Sequence, residues 1–205
     1  MIDLKKFLVL IIFVLMIFST KCFAVTPPSS YEVWDRIPYE GLLERNFTAN
    51  ANIDAYAAPR DKNLLFYLTE GEVVKRISCV VYSNPAAHKV KVLRKTFVSS
   101  SPDGDTDVIL YEGDEVYLIM HTGEGTFMGW HEGKQIWQLD SAMNYFYGNR
   151  TVNNAWGEYL GVPTDANLGV ERWDCFQTAN GKICWVLVQK NGKELGKFTG
   201  EELIF

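Results

Sequence analysis

Positive charge is in short supply: 20 Lys and Arg stand against 25 Asp and Glu, a net charge of −5 with histidine neutral. Without a block of basic residues the chain gains nothing from counterion release at phosphates, so no nucleic-acid partner is expected, and anionic lipid surfaces are disfavoured. Histidine is scarcer still, and His88, His121 and His131 lack any metal-ligand spacing, so neither a metal nor another cofactor is expected. Long apolar runs are missing except for one, Phe7 to Phe18. Lys5 and Lys6 precede it, Ser19, Thr20 and Lys21 close it before it reaches membrane length, and Cys22-Phe23-Ala24 puts small residues around a cleavage position. Residues 1–24 therefore read as a signal peptide, and the product is expected to be secreted or periplasmic with no membrane span after cleavage. Losing Lys5, Lys6 and Lys21 makes the mature chain more acidic still.

Cysteine is also sparse. With Cys22 in the leader, Cys79, Cys175 and Cys184 remain, an odd number that cannot form a fully paired framework. Cys175 and Cys184 flank "FQTANGKI", in which Asn180-Gly181 signals a hairpin. A two-residue loop would offset the two sulfurs and a longer or bulged loop could align them, so a Cys175–Cys184 disulfide depends on register. Cys79 lies in "ISCVVY" and reads as a small buried hydrophobe.

Helical periodicity is nearly absent. From Ile53 onward short runs rich in Val, Ile, Tyr, Phe and Trp alternate with turns carrying Gly, Pro, Asn, Asp and Ser, which predicts an all-β chain and excludes a parallel α/β architecture. The one helix expected lies in "DSAMNYFYGN", with Asp140 or Ser141 as N-cap, apolar Met143, Phe146 and Tyr147, and Gly148 as stop. Residues 25–49 read as an N-terminal arm, beginning with the Pro-rich "VTPPSS".

Two stretches repeat. "LTEGEVVKRI" at 68–77 and "LYEGDEVYLI" at 110–119 share Leu68/Leu110, Glu70/Glu112, Gly71/Gly113, Val74/Val116 and Ile77/Ile119. Each reads as a hydrophobic anchor, a tight acidic turn pivoting on glycine, and a strand that buries its β-branched residues. Together with "NIDAYAAPRDKNLLFY" before the first copy and "ICWVLVQKNGKELGKF" near the end, these residues resemble bacterial SH3-like domains. The chain departs from that family where Phe198 follows Lys197, a place the family usually gives to Gly-Trp.

The resemblance implies small, strongly bent SH3-like β-barrels, either one barrel with a large insertion or, as favoured here, two in tandem: one over 50–140, a connecting helix and loop over 141–160, and a second over 161–205. It also implies a non-catalytic module that binds cell-wall peptide or glycan, or another protein of the cell envelope. The aromatic residues are the natural contact groups, since aromatic-lined grooves carry SH3 recognition. Tyr56 and Pro59 are expected on the rim of one barrel and Trp185 on a sheet face of the other, with Trp130 a further candidate; for each, core packing is the competing role. Two alternatives come from other classes: a small cell-wall hydrolase built on Cys79 with His121 or His131, and a secreted inhibitor or immunity-type protein. The hydrolase is disfavoured because a reactive thiol needs an electropositive setting, and Cys79 sits in an apolar run. Glu124 and Glu132 match a glycosidase pair only in residue type, because both belong to turns where exposed acids are common.

Overall fold

Glycine turns and β-branched runs partition the chain as their spacing dictates. The computed structural model describes residues 26–34, 45–102, 104, 107–123, 125–146, 148, 150–161 and 168–200; the expected leader and Glu124 lie outside these. Five strands come first: β1 (Tyr31–Trp34), β2 (Arg45–Ala49), β3 (Ile53–Tyr56), β4 (Leu64–Leu68) and β5 (Val73–Ser83). A 3-10 turn at Pro85–Ala87 leads to β6 (Lys89–Val92), β7 (Thr96–Val98), β8 (Val108–Leu110), β9 (Glu115–Gly123), β10 (Thr126–His131) and β11 (Lys134–Asp140). Then follow β12 (Met143–Asn144), β13 (Gly157–Tyr159), β14 (Glu171–Thr178), β15 (Ile183–Lys190), β16 (Lys193–Glu194) and β17 (Phe198–Gly200).

The fold is all-β, with no α-helix among the described residues. The helix expected after Asp140 is replaced by β12, which pairs in parallel with β13 through Met143–Gly157 and Asn144–Glu158. Tyr145 then takes φ 64°, which no α-helix tolerates. Met143 and Phe146 are both fully buried, so the apolar spacing marked burial rather than helical period.

Nine strands form one sheet in the order β17-β2-β5-β14-β15-β3-β4, with β1 added to β5 and β16 to β15. A second sheet runs β11-β10-β9-β6-β13-β12, and the β7–β8 hairpin joins it through a bridge between Ser99 and Trp137. The C-terminal strands do not stand apart. β14 lies along β5 from Glu171–Tyr82 to Thr178–Val74, so residues 171–200 complete the sheet begun by 45–83, while 89–159 build the second sheet between them.

Several pairs of the first sheet can be set beside pairs elsewhere in the chain. Phe47 faces Val74 as Val90 faces Val116. Ile53 faces Leu68 as Thr96 faces Leu110, and Tyr56 faces Trp185 as Ser99 faces Trp137. Thr199 faces Thr48 as Glu158 faces Lys91. At the acidic turns the Gly71 N–H donates to the Ala49 carbonyl and the Gly113 N–H to the Val92 carbonyl, each at 2.9 Å. The Glu72 carboxylate accepts from the Thr69 amide at 3.1 Å, and the Asp114 carboxylate from the Tyr111 amide at 2.7 Å. Both glycines sit at positive φ, 82° and 93°, where a side chain is strained.

Each sheet encloses its own core. Ala49, Ile53, Leu68, Val74, Phe176 and Val186 fill the first, and Val116, Leu118, Phe127, Leu139 and Phe146 are central to the second. Val33 of β1 is buried in the second core although β1 pairs with β5 of the first sheet, so this strand ties the two together.

Candidate functional site

Alternation along β15 sorts its side chains: Val186 and Val188 turn into the core, while Trp185 and Leu187 turn to the outer face. There they meet Val80 and Tyr82 from β5, Trp173 from β14 and Tyr56 from β3. Tyr56 is the register partner of Trp185, and its ring meets Trp173 edge-on at 5.5 Å. Trp34 of β1 meets Trp185 edge-on at 5.7 Å and is 49% exposed, leaving this indole open to a ligand. Offset and perpendicular ring pairs of this kind add about 0.5–1.5 kcal/mol each beyond area burial, so the face is held in shape without a ligand.

A polar clamp borders the aromatic face. The Arg60 guanidinium lies 3.7 Å from the centre of the Tyr82 ring and donates from Nε to Glu171 at 2.8 Å. The Trp173 indole N–H donates to the same carboxylate oxygen at 2.7 Å. Burial works to raise the Glu171 pKa, but the hydrogen bonds from Arg60 and Trp173 outweigh it and hold the carboxyl below its ordinary range. Arg60 reaches this place from φ 60°, an uncommon conformation for a residue with a side chain. With its charge matched by Glu171, the guanidinium shapes the face rather than presenting a bare cation.

Tyr56 and Trp185 thus come together on one sheet instead of lying on separate barrels. Pro59 is half-buried in the turn that carries Arg60 to its clamp. Trp130 lies elsewhere, on β10, where Tyr31 meets its ring at 5.8 Å and the second core packs beneath it. Sequence reasoning assigned no contact role to Trp34 or Trp173. The "YEVW" alternation was the available signal for Trp34, because it sends Tyr31 and Val33 to one side of β1 and Glu32 and Trp34 to the other.

β1 also forms one wall of a cleft of about 220 Å³, opposite Gln135 and Trp137 of β11. All four of its consecutive residues, Tyr31 to Trp34, line this space, and the Tyr31 hydroxyl donates to Gln135 Oε1 at 3.2 Å. Trp34 belongs to both places, lining the cleft and packing on Trp185.

The thiols do not form the disulfide. A loop of three residues, closed by the Thr178 amide donating to the Lys182 carbonyl, sets Phe176 opposite Cys184 and Cys175 opposite Trp185. Cys175 and Cys184 therefore point to opposite faces of the hairpin. Burial, helped by the neighbouring Cys175 and Glu72, pushes the Cys184 thiol up to about 12, far from a reactive thiolate. Cys79 is fully buried. His131 Nδ1 donates to the Glu115 carbonyl at 3.0 Å, and the Gly123 N–H donates to His121 Nδ1 at 3.2 Å. Among the described residues no three His, Cys, Asp or Glu side chains gather as a metal site.

No family model, curated protein or solved structure matches this chain.

Proposed function

We propose that this chain is a non-catalytic binding protein of the cell envelope, made of two SH3-like barrels of which one is inserted within the other. The outer barrel takes residues 45–83 and 171–200, and the inner one takes 89–159. Support for two related units comes from the matched registers and from the acidic turns clipped by Gly71 and Gly113 in the same manner. Insertion rather than tandem order follows from the pairing of β14 with β5.

The observation that carries the binding reading is the pairing of Tyr56 with Trp185 beneath the half-exposed Trp34. Aromatic side chains gathered on an outer sheet face, clamped in shape and partly open to solvent, suit recognition of a ligand with apolar surface. The inner unit has Ser99 where the outer has Tyr56, so the aromatic platform belongs to the outer unit. The ligand is a cell-wall component or an envelope protein, and a protein with an N-terminal export signal would meet either one.

Retention of the protein on purified cell-wall material, beside a parallel capture from detergent-solubilised envelope proteins, tests this reading. Specific retention on one of them, reduced at least tenfold by Trp34→Ala together with Tyr56→Ala, is expected. Retention on neither, or retention indifferent to both substitutions, would refute it.

A further inference from the structure

We propose that the open edge of β1 is a peptide-binding site, at which an extended peptide adds as a further strand and fills the cleft between β1 and β11. The proposal rests on the binding reading above and names the ligand chemistry of the recess beside its aromatic face. Among the described residues β1 pairs with β5 alone, through Tyr31–Ser83, Glu32–Tyr82, Val33–Val81 and Trp34–Val80. In a strand, successive side chains point to opposite faces, so a recess on one face touches alternate residues only. This cleft instead touches all four, which places the strand's second edge, whose N–H and C=O groups bond no described residue, along the cleft wall.

An open strand edge facing a recess is the geometry that main-chain recognition requires: backbone hydrogen bonds supply affinity, and pockets for alternate side chains supply selectivity. The pockets differ here. One set of ligand side chains would face Gln135 and Trp137, and the other would face Glu32 and the Trp34–Trp185 pair. Glu32 is the one charged residue among the described residues that line the cleft, and it is exposed. The complementary ligand is therefore a short extended peptide that carries an amine-bearing side chain among small neutral residues. The same carboxylate disfavours an anionic ligand. The volume of about 220 Å³ lies below the usual range for sites that engulf drug-sized molecules, and it suits a narrow extended chain.

The test uses the mature protein and capped synthetic peptides of alternating valine and lysine, followed by calorimetry and amide hydrogen exchange. Binding is expected together with slowed exchange at residues 31–34. Methylating the peptide's backbone nitrogens should weaken binding roughly tenfold, since each removes a main-chain donor. Glu32→Gln should abolish the preference for lysine over norleucine at the facing position. Glu32 and Trp34 are exposed, so neither the Glu32→Gln nor the Trp34→Ala variant threatens the fold. Binding indifferent to backbone methylation, or no peptide binding by a protein that cell-wall material still retains, would overturn the proposal while leaving the wider binding reading in place. Loss of all retention would instead count against both.

Discussion

Gly113 donates its amide to the carbonyl of Val92 at 2.9 Å, and with the Val92 amide donating to the Asp114 carbonyl at 2.9 Å this bond clips the start of β9 to the end of β6. Gly71 makes the equivalent bond to Ala49. A Cβ at either glycine would meet nothing within 4 Å, so backbone strain at positive φ is the whole cost of a side chain there. Gly113→Ala and Gly71→Ala are each expected to cost about 1–2 kcal/mol, and asparagine at the same positions less. Urea midpoints with unchanged slopes would show it; an alanine variant as stable as the parent would contradict the strained-turn account.

Asp174 is buried between two arginines. Its Oδ2 lies 3.3 Å from an Arg76 nitrogen, and its Oδ1 lies 3.2 Å from Arg172 Nε, close enough for charge attraction though not aligned as a hydrogen bond. Arg172 reaches onward to Glu194 at 3.1 Å. Removing the acid alone leaves buried positive charge without its counter-ion, so Asp174→Asn is expected to destabilise by about 3–5 kcal/mol. A shift in the denaturant midpoint of less than about 1 kcal/mol would mean that water reaches the cluster.

His88 is buried, its Nδ1 2.7 Å from the Tyr159 hydroxyl and its ring stacked on the phenol. Burial lowers its pKa, and a hydrogen bond with the Leu168 backbone opposes the shift without cancelling it. Burial lowers His121 in the same direction. Between the depressed folded value and the unfolded value of about 6.5 the unfolded chain binds more protons, so stability is full above that pH and falls as pH drops through this window. Unfolding midpoints measured from about pH 7.5 down to 5 should decline, and His88→Gln should flatten part of the slope. A decline identical in the variant would assign the effect to other groups.

Cys79, Cys175 and Cys184 are buried thiols, and Cys184 ionises only near 12. Native protein is therefore expected to react slowly with a thiol reagent at about pH 8 and quickly once unfolded in urea. Rapid, pH-dependent labelling of Cys79 in the native protein would instead revive a nucleophilic role for it.

The strands and the glycine-pivoted turns could be read from the sequence because their determinants are local. Leu68 and Leu110 are fully buried, and the acids after each glycine cap their own turns, as short-range turn chemistry requires. The short apolar segment around Met143 was misleading, since three-residue spacing between buried side chains fits a helix and an irregular strand equally. The aromatic face was half legible: Tyr56 and Trp185 stood out as types, but their pairing joins distant parts of the chain and leaves no local trace. Trp34 was hidden in an arm that gains its strand conformation only by adding to β5. For the same reason the cysteine question turned on one residue of loop length, which composition does not encode.

The pairing of Trp173 with Val80 closes a loop that contains the whole second sheet. During synthesis, strands β6 to β11 emerge together and can find one another at small entropic cost, whereas the β14 side of β5 must wait until the last quarter of the chain has appeared. Until then Val80 and Val81, among the most deeply buried residues of the finished molecule, border an unsatisfied edge. Closing the first sheet across the second thus favours a folding order, second sheet before the completed first, and places the period of greatest aggregation risk in the interval between them.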